Sequence, residues 1–164
     1  MYISDYESFV KNARAKHEEQ INDYRKANGQ DVENFSYYPI DEKWKVPGSI
    51  TIRKPKEAMI DHSIQFIRIG KLDIVVEKNP LKLDLYQIKD KNDDYYIYLK
   101  DATSGKGSYG LGRFVPVLKE NEEVYVDFNL AFTPTCGHIE GSACPWARES
   151  TGIAIEAGEK AELH

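Results

Sequence analysis

Apolar side chains recur at three- and four-residue steps over the first 28 residues of the chain. The positions that share this stripe are Tyr6, Val10, Ala13, His17, Ile21 and Tyr24. The segment from Ser4 to Glu7 has the form of a capping box, which satisfies the free amides at a helix start. Asn28 and Gly29 suit a helix end, because glycine readily adopts the left-handed backbone conformation. The pattern therefore predicts an amphipathic helix over about residues 4–28.

From Phe35 onward the apolar positions alternate with a period of two, which is typical of strands with one buried face. The predicted strands span residues 49–53, 64–69, 72–77, 81–85, 95–100, 113–117, 124–128 and 152–156. Gly70 and Lys71 suit a tight hairpin between the second and third strands, and the polar stretches 89–94 and 119–123 suit two further turns.

Successive short strands without helical crossovers favour antiparallel pairing. The predicted fold is mainly β (α+β): an antiparallel barrel or sandwich of about eight strands with the N-terminal amphipathic helix packed on it. We expect one domain over residues 1–164, with a strand-rich body over residues 35–160. Residues 129–151 show no period, and so long an irregular segment is more often functional or metal-organised than idle.

The amino-acid composition and net charge of the chain disfavour some classes of binding partner. The chain has 164 residues, of which 41% are hydrophobic, and this is enough to build a core. A net charge of -5 opposes the capture of a polyanion, so nucleic acid and anionic membranes are disfavoured as partners. No window reaches the roughly 20 apolar residues that a membrane-spanning helix needs, and the N-terminus lacks a basic region followed by an apolar stretch. We therefore expect a cytoplasmic protein.

Residues 105–110 read Gly-Lys-Gly-Ser-Tyr-Gly and formally match G-x-G-x-x-G. Predicted strands on both sides oppose a dinucleotide-binding turn, which must open a helix, and the partner motifs of a kinase are absent. A P-loop would need a hydroxyl residue directly after Lys106. In one interpretation, the glycines allow the backbone to turn with positive φ between two strands. The alternative is an anion site in which loop amides act together with Ser104, Ser108 and Arg113.

Asp101 and Asp127 each stand at the end of a predicted strand. Carboxylates in such places can act as general acid or base, ligate a metal, or accept hydrogen bonds from an arginine such as Arg113. The structural interpretation, in which each aspartate accepts turn amides or pairs with an arginine, stands beside the catalytic one.

Cys136, His138 and Cys144 supply three groups that zinc accepts, but their spacing fits no standard zinc motif and no fourth ligand is evident. Zinc is therefore disfavoured, and His62 or Asp127 would complete a site only if the fold brought one of them close. Three alternatives remain open: two buried thiols, a disulfide between the cysteines, or a thiol nucleophile with His138 as its base.

A set of short segments forms a joint pattern along the chain. These segments are Phe35–Asp41, Trp44–Val46, Asp101–Gly105, Tyr109–Arg113, Val126–Ala131, Pro134–Cys136, Cys144–Pro145 and Ala157–Lys160. Together they resemble the prokaryotic family called domain of unknown function 1684, over most of the chain beyond the first helix. The resemblance brings no established activity. It marks as signature positions Asp101, Thr103, Ser104, Gly105, Tyr109, Gly110, Arg113, Asp127, Asn129, Pro134, Cys136 and Cys144.

The chain departs from the family pattern in three places in the irregular segment. The family usually has an aromatic residue where His138 stands, a second proline where Thr135 stands, and a proline-rich stretch leading to an asparagine where this chain has residues 146–151. The resemblance therefore disfavours a metal site or catalysis that requires His138, and it favours Cys136 and Cys144 as a staple of the loop. Relatives commonly have a longer N-terminal region, so the site here is expected to be more open or to be completed by a second copy in a homo-oligomer.

These observations predict a domain that binds a small polar or anionic molecule in a strand-built pocket lined by residues 101–113 and 127–144. The expected ligand-binding residues are Ser104, Tyr109, Arg113 and Asn129. The first alternative is a hydrolase or lyase that uses Asp127 or Asp101 as base, with Arg113 stabilising negative charge. The second is a buried structural network whose function lies in a protein partner.

Overall fold

The computed structural model describes residues 5–91 and 94–161. One helix, α1, spans Asp5–Ala27, in agreement with the predicted stripe, and Val10 and Ile21 on that stripe are buried. Gly29 follows the helix with φ of +74°, and the amide of Gln30 donates to the Arg25 carbonyl at 2.8 Å, so the predicted helix end is confirmed. The predicted cap at Ser4 lies outside the described residues.

Within the described residues, nine strands follow the helix. They are β1 Ser36–Tyr37, β2 Lys45–Asp61, β3 Ile64–Val76, β4 Asn79–Ile88, β5 Tyr95–Lys100, β6 Arg113–Glu120, β7 Glu123–Asp127, β8 Glu149–Ser150 and β9 Glu159–Lys160. Short 3-10 helices occupy Glu42–Trp44, Phe128–Leu130 and Thr135–His138. The mainly β fold with one N-terminal helix is confirmed, as are turns within the polar stretches 89–94 and 119–123.

Strands β2 to β7 close into an antiparallel barrel. Their order is β4-β3-β2-β7-β6-β5, and β5 pairs back onto β4 through Tyr86 opposite Tyr96. The strand β8 adds to β5 in parallel, and β1 pairs with β9 in a separate two-stranded ribbon. Closure leaves no open edge among the six barrel strands, which selects the barrel over the sandwich.

The predicted hairpin at Gly70 and Lys71 is wrong. The second and third predicted strands are one strand, β3, and the chain reverses instead near His62 and at Glu77 and Lys78, all three with positive φ. Gly70 lies inside the sheet, where a Cβ atom would overlap the Thr51 carbonyl oxygen of β2. The glycine therefore permits close backbone approach within a strand rather than a turn.

The predicted strand over residues 152–156 is also wrong, because this stretch is irregular. Ile153 and Ile155 do pack against the barrel core, which explains the alternating pattern. Side chains take the place of a strand partner: the Ile155 amide donates to Asp101 Oδ2 at 2.8 Å, and its carbonyl accepts from Arg113 at 3.0 Å.

The barrel has apolar side chains on both of its faces. Inside, buried residues from β3 to β7 form the main core, including Leu72, Leu85, Ile97, Val115 and Val126, and β2 packs partly buried residues against it. Outside, a second cluster centres on Phe66, Tyr86, Tyr98 and Phe114. Neighbouring residues on a strand point to opposite faces, so the outer aromatic face needs its own cover. The chain from Phe128 to Arg148 and helix α1 provide contacts to it, among them Phe132 stacked on Phe114 at 5.7 Å between ring centroids. Within the described residues, no helix combines the length and the apolar character needed to cross a membrane.

Candidate functional site

Arg113 and Asp101 lie at the ends of two neighbouring strands and are buried together. The guanidinium donates to the carbonyls of Ile155, at 3.0 Å, and of Ala157, and also contacts the Glu159 carbonyl at 3.2 Å. It forms an ion pair with Asp101 Oδ2 at 3.3 Å. Burial lowers the pKa of Arg113, and the Asp101 charge opposes that effect. The fold therefore directs this guanidinium at the backbone of the C-terminal segment.

The glycine-rich loop after β5 uses its polar groups internally. Asp101 Oδ1 accepts from the hydroxyls of Thr103 at 2.7 Å and Ser104 at 3.3 Å. The amides of Lys106, Gly107 and Ser108 all donate to the Thr103 carbonyl, and the Gly105 amide donates to Ser108. These four amides are engaged within the turn itself, so the geometry agrees with the interpretation as a turn between strands.

Asp127 and Asn129 form a second buried network, which docks helix α1 on the barrel. Both side chains are fully buried. The Tyr6 hydroxyl lies 2.8 Å from Asp127 Oδ2, and the Asn129 amide group donates to Tyr6 Oη at 2.7 Å and to the Asp41 carbonyl at 2.8 Å. Arg14 donates Nε and Nη2 to the Asn129 carbonyl at 3.2 and 3.0 Å. Burial raises the pKa of Asp127, although the hydrogen bonds from Tyr6 and Asn129 lower it.

The two cysteines form a disulfide bond, Cys136–Cys144. Neither sulfur is then available as a thiolate, so this geometry opposes both zinc ligation and a thiol nucleophile. Asp61 accepts the amides of Thr135 and Cys136 at 2.8 Å each, and the Tyr109 hydroxyl donates to Cys144 Sγ at 3.3 Å. The predicted loop staple is present in the structure. Within the described residues, no group of three or more His, Cys, Asp and Glu side chains is placed to hold a metal ion.

His138 lies among carboxylates rather than beside the cysteine pair. Its Nε2 lies 2.7 Å from Glu159 Oε2, its Nδ1 lies 3.4 Å from Glu33 Oε1, and its ring stacks on Phe35 at 4.3 Å between centroids. Burial lowers the pKa of His138, but the hydrogen bond and charge of Glu159 together with Glu33 outweigh it, so the pKa is raised. His62 lies elsewhere, 3.0 Å from the Ser142 hydroxyl.

The predicted site residues thus fall into separate groups. Asp101, Ser104 and Arg113 hold the C-terminal segment, whereas Asp127 and Asn129 hold helix α1. Tyr109 borders a third region, a pocket of about 310 Å³ that also contains His138 and Glu159. Sequence reasoning missed Glu159 and Glu33 as partners of His138. The Ala157–Lys160 segment of the family pattern was the available signal for Glu159.

A cleft with different walls lies between helix α1 and the outer aromatic face of the barrel, and we call it the helix–barrel cleft. Its volume is about 220 Å³. Strands and the following chain supply apolar walls, with Ile64, Phe66, Ile88, Tyr96, Pro116 and Phe132. The polar side chains that border it are Arg14, His17, Gln20, Tyr37, Asp61 and Thr135. An apolar cavity with a few convergent polar groups is typical of small-molecule sites.

Three buried polar atoms lack a hydrogen-bond partner among the described residues: His17 Nε2, Tyr37 Oη and Thr133 Oγ1. A fourth such atom, Asp84 Oδ1, forms an ion pair with Lys71 at 2.6 Å. Two of the first three belong to residues beside Glu159, since Tyr37 is its cross-strand neighbour and the Thr133 amide donates to Glu159 Oε1 at 3.2 Å. The Glu159 charge also acts on the third, His17. Buried polar groups are ordinarily satisfied, so a cluster of unsatisfied ones marks a place for a polar molecule.

Two of these atoms belong to the helix–barrel cleft. Burial lowers the pKa of His17, with Glu159 opposing and His138 adding to the effect, so its imidazole is neutral at neutral pH. Burial first, and then the charges of Glu18 and Glu159, raise the pKa of Tyr37. The Glu18 carboxylate acts on the Tyr37 hydroxyl without meeting the geometry of a hydrogen bond. The sequence pattern had placed His17 on the apolar stripe of the helix, so only its contacts reveal it.

Comparison with known proteins agrees with the fold and leaves the activity open. The family model described as Protein of unknown function (DUF1684) matches residues 30–160. A solution NMR structure of an uncharacterised protein of Haloarcula marismortui is similar, with 22% sequence identity, 97% of each chain covered and a TM-score of 0.71. At that identity the likeness shows the fold alone. No curated protein matches the chain.

Proposed function

The chain belongs to the family of unknown function DUF1684, and we propose that it is a small-molecule-binding domain whose ligand occupies the helix–barrel cleft. The proposed ligand is a small carboxylic acid with a ring or a branched aliphatic body. The observation that carries the proposal is the pair of unpartnered polar atoms, His17 Nε2 and Tyr37 Oη, at the border of an otherwise apolar cleft.

The polar end of the cleft suits a carboxylate. Arg14 uses Nε and Nη2 for the Asn129 carbonyl, and no described residue accepts from its Nη1. The Arg14 guanidinium also stacks on the Tyr37 ring, 4.3 Å from its centroid, which holds the two side chains together. Arg14 Nη1, the Nε2–H tautomer of the neutral His17 and the Tyr37 hydroxyl then offer three donors to one carboxylate.

The apolar end suits a ring or a branched chain. Phe66, Tyr96 and Phe132 present ring faces and edges, with Tyr96 and Phe132 6.0 Å apart in an edge-to-face arrangement. Aromatic walls of this kind bind planar or branched apolar groups through area burial and ring contacts. Asp61 borders the cleft as well, but its two oxygens accept the amides of Thr135 and Cys136, so it contributes structure rather than a free charge.

This proposal keeps the ligand class that the sequence predicted but assigns the binding to different residues. A small anionic ligand and the 127–144 segment are retained, through Leu130, Phe132 and Thr135. The contacts of Ser104, Arg113 and Asn129 are used within the protein, so we assign the binding to Arg14, His17 and Tyr37 instead.

The alternatives remain predictions with less support. A hydrolase or lyase would need an accessible base, whereas Asp127 is fully buried and Asp101 accepts from four groups. The buried network of the second alternative agrees with the geometry, but no described contact points to a protein partner. Cytoplasmic location and homo-oligomer formation also remain predictions, and the disulfide argues against a reducing compartment.

The first experiment is an NMR titration of the protein with benzoate, with neutral benzamide as a matched probe. We expect benzoate to shift backbone resonances at His17, Tyr37, Tyr96 and Phe132, and to bind more tightly than benzamide. His17→Phe and Tyr37→Phe should each weaken benzoate binding about tenfold, because each removes one hydrogen bond to a charged group.

Tyr125→Phe is the matched control, since it also removes a phenol hydroxyl but lies outside the cleft. It should leave benzoate binding unchanged. Equal affinities of the Tyr37→Phe and Tyr125→Phe proteins, or the absence of shifts around the cleft with both probes, would contradict the proposal.

A further inference from the structure

A second cleft lies on the outer face of the barrel, between the distal part of β2 and the segment after the disulfide, and we call it the arginine cleft. It has a volume of about 290 Å³. Its defining residues are Lys56, Arg68, Tyr86, Tyr98, Trp146 and Arg148. We propose that it binds a small phosphate monoester with a planar ring, at a place separate from the helix–barrel cleft. The two clefts share no lining residue.

The positive charge of this cleft is convergent and unpaired. Lys56, Arg68 and Arg148 come from β2, β3 and the segment before β8, so only the tertiary structure brings them together. None of the three has a carboxylate within ion-pair distance in the part of the chain that the structure describes. Three unpaired cations in one concavity create a positive field in a chain of net charge -5.

The lining of the cleft contains fewer carboxylates than cations, and one of the carboxylates is paired with a lysine. Asp84 borders it, but its Oδ1 is bound by Lys71 at 2.6 Å, and its backbone amide donates to Glu149 at 2.9 Å. Glu57 is the other acidic residue of the lining and lies exposed on β2. Glu149 also acts on the Tyr86 phenol, and its carboxylate accepts the Asp84 amide. Because Asp84 and Glu149 already have partners and Glu57 is exposed, the three unpaired cations favour an anionic ligand.

The two arginines of the cleft, Arg68 and Arg148, line it together with Tyr86. Burial raises the pKa of the Tyr86 phenol, as do Asp84 and Glu149, whereas Arg148 and Arg68 act in the opposite direction. Asp84 and Glu149 thus act on the phenol as well as the two arginines, and both arginines line the same cleft as Tyr86. A phosphate group beside Tyr86 can accept from the phenol and from two guanidinium forks.

The rim of the cleft supplies a ring surface. Trp146 is 78% exposed, the largest exposed fraction among the exposed large apolar side chains of the described chain. Its neighbours are fixed, because the Tyr98 hydroxyl donates to the Pro145 carbonyl at 2.7 Å and the Ala147 amide donates to the Leu111 carbonyl at 3.1 Å. An indole held at the edge of a cationic cleft suits a ligand with a planar ring next to its phosphate.

Titration of the full chain with phenyl phosphate, followed by tryptophan fluorescence, tests this inference. Trp44 is buried in the core and Trp146 is exposed, so a ligand-dependent change reports on Trp146. We expect phenyl phosphate to quench the emission and to bind more tightly than phenol. The double variant Arg68→Gln, Arg148→Gln should weaken binding by tenfold or more, because it removes two charge-assisted contacts.

The matched control is Arg53→Gln, Lys54→Gln, which removes the same charge from exposed positions of β2 that do not line the cleft. It should bind phenyl phosphate as the wild type does, with thermal unfolding confirming that both double variants fold. Equal weakening in the two double variants, equal affinity for phenol, or no binding of phenyl phosphate would overturn the proposal.

The two binding proposals fail independently. Arg68→Gln, Arg148→Gln should leave benzoate binding at the helix–barrel cleft unchanged, and His17→Phe should leave phenyl phosphate binding unchanged. Loss of both ligands in either variant would contradict the assignment of separate sites.

Discussion

At the scale of single residues, Arg113 shows how a side chain suited to ligand recognition is used for structure. Its guanidinium donates to carbonyls of the segment from Ile155 to Glu159 and pairs with Asp101. That segment has no strand partner at Ile155, so the arginine and the aspartate supply the hydrogen bonds that a neighbouring strand would give. A planar fork with five donors serves this purpose as well as it serves an anion.

We predict that Arg113→Ala destabilises the protein strongly. The change leaves a buried Asp101 carboxylate without its counter-charge and several buried carbonyls without donors, which should lower the free energy of unfolding by about 3–5 kcal/mol. Urea unfolding followed by circular dichroism measures the change. Arg53→Ala, at an exposed position of β2, is the control and should have little effect. A stable Arg113→Ala protein would show that the guanidinium is free for another purpose.

His138 and Glu159 illustrate a second residue-scale point. The family resemblance predicts an aromatic residue at the position of His138, and here the imidazole makes a ring contact with Phe35 while pairing with Glu159. The fully buried Glu159 also accepts the Thr133 amide. The pair therefore joins the C-terminal ribbon to the 3-10 helix at Thr135–His138, and it needs no catalytic role to account for its geometry.

At the scale of elements, the ribbon of β2 and β3 forms one wall of the barrel and extends to the two clefts. Register shifts interrupt the pairing between Ile52 and Lys56 and between Glu57 and Met59. Such irregularities bend a strand and turn its side chains to new directions. The pairing of β3 with β4 is also shifted, between Arg68 and Gly70, and on either side of this shift β3 directs Phe66 to the outer aromatic face and Leu72 and Ile74 into the barrel core.

A side chain at Gly70 would disturb the pairing of β2 and β3. Gly70→Ala would place a methyl group against the Thr51 carbonyl oxygen, so the strands must separate locally. We expect a loss of about 1–3 kcal/mol in the free energy of unfolding, as for other overpacked sites. Gly152→Ala is the matched control, since no atom lies within 4 Å of its added Cβ. Equal unfolding midpoints for the two variants in urea would contradict the close approach at Gly70.

At the scale of the whole molecule, the chain outside the barrel is held by a few long-range contacts. Tyr6 and Arg14 anchor helix α1 at Asp127 and Asn129, and Arg25 donates to the His138 carbonyl at 2.6 Å. The Cys136–Cys144 disulfide closes the loop that contains His138, and the arginine cleft begins directly after this loop. Both clefts therefore depend on segments that the barrel itself does not pair.

We predict that removal of the disulfide lowers stability by about 2–3 kcal/mol, the chain-entropy value for a loop with a sequence separation of 8 residues. The test compares urea unfolding of the wild type, with and without reductant, with that of Cys136→Ser, Cys144→Ser. The reduced wild type should match the double variant, which should not respond to reductant. Alkylation of two thiols in the unreduced wild type, seen by mass spectrometry, would contradict the bond.

Local sequence signals were sufficient to locate the helix and most of the strands. Periodicity located helix α1 and most barrel strands, and Gly29 marked the helix end, because these depend on a few neighbouring residues. The family pattern marked Asp101, Arg113 and the two cysteines as important. Alternation failed at residues 152–156, where Ile153 and Ile155 enter the core from an irregular backbone.

Which polar groups remain available for a ligand depends on the tertiary structure. As anion-binding side chains, Arg113 and Arg68 are indistinguishable in the sequence. Folding gives Arg113 and Asn129 several buried hydrogen-bond partners, and it leaves His17 Nε2 without a hydrogen bond and Arg68 and Arg148 without an ion pair among the described residues. Availability depends on contacts between residues far apart in the chain, and the pattern of neighbouring residues does not encode such contacts.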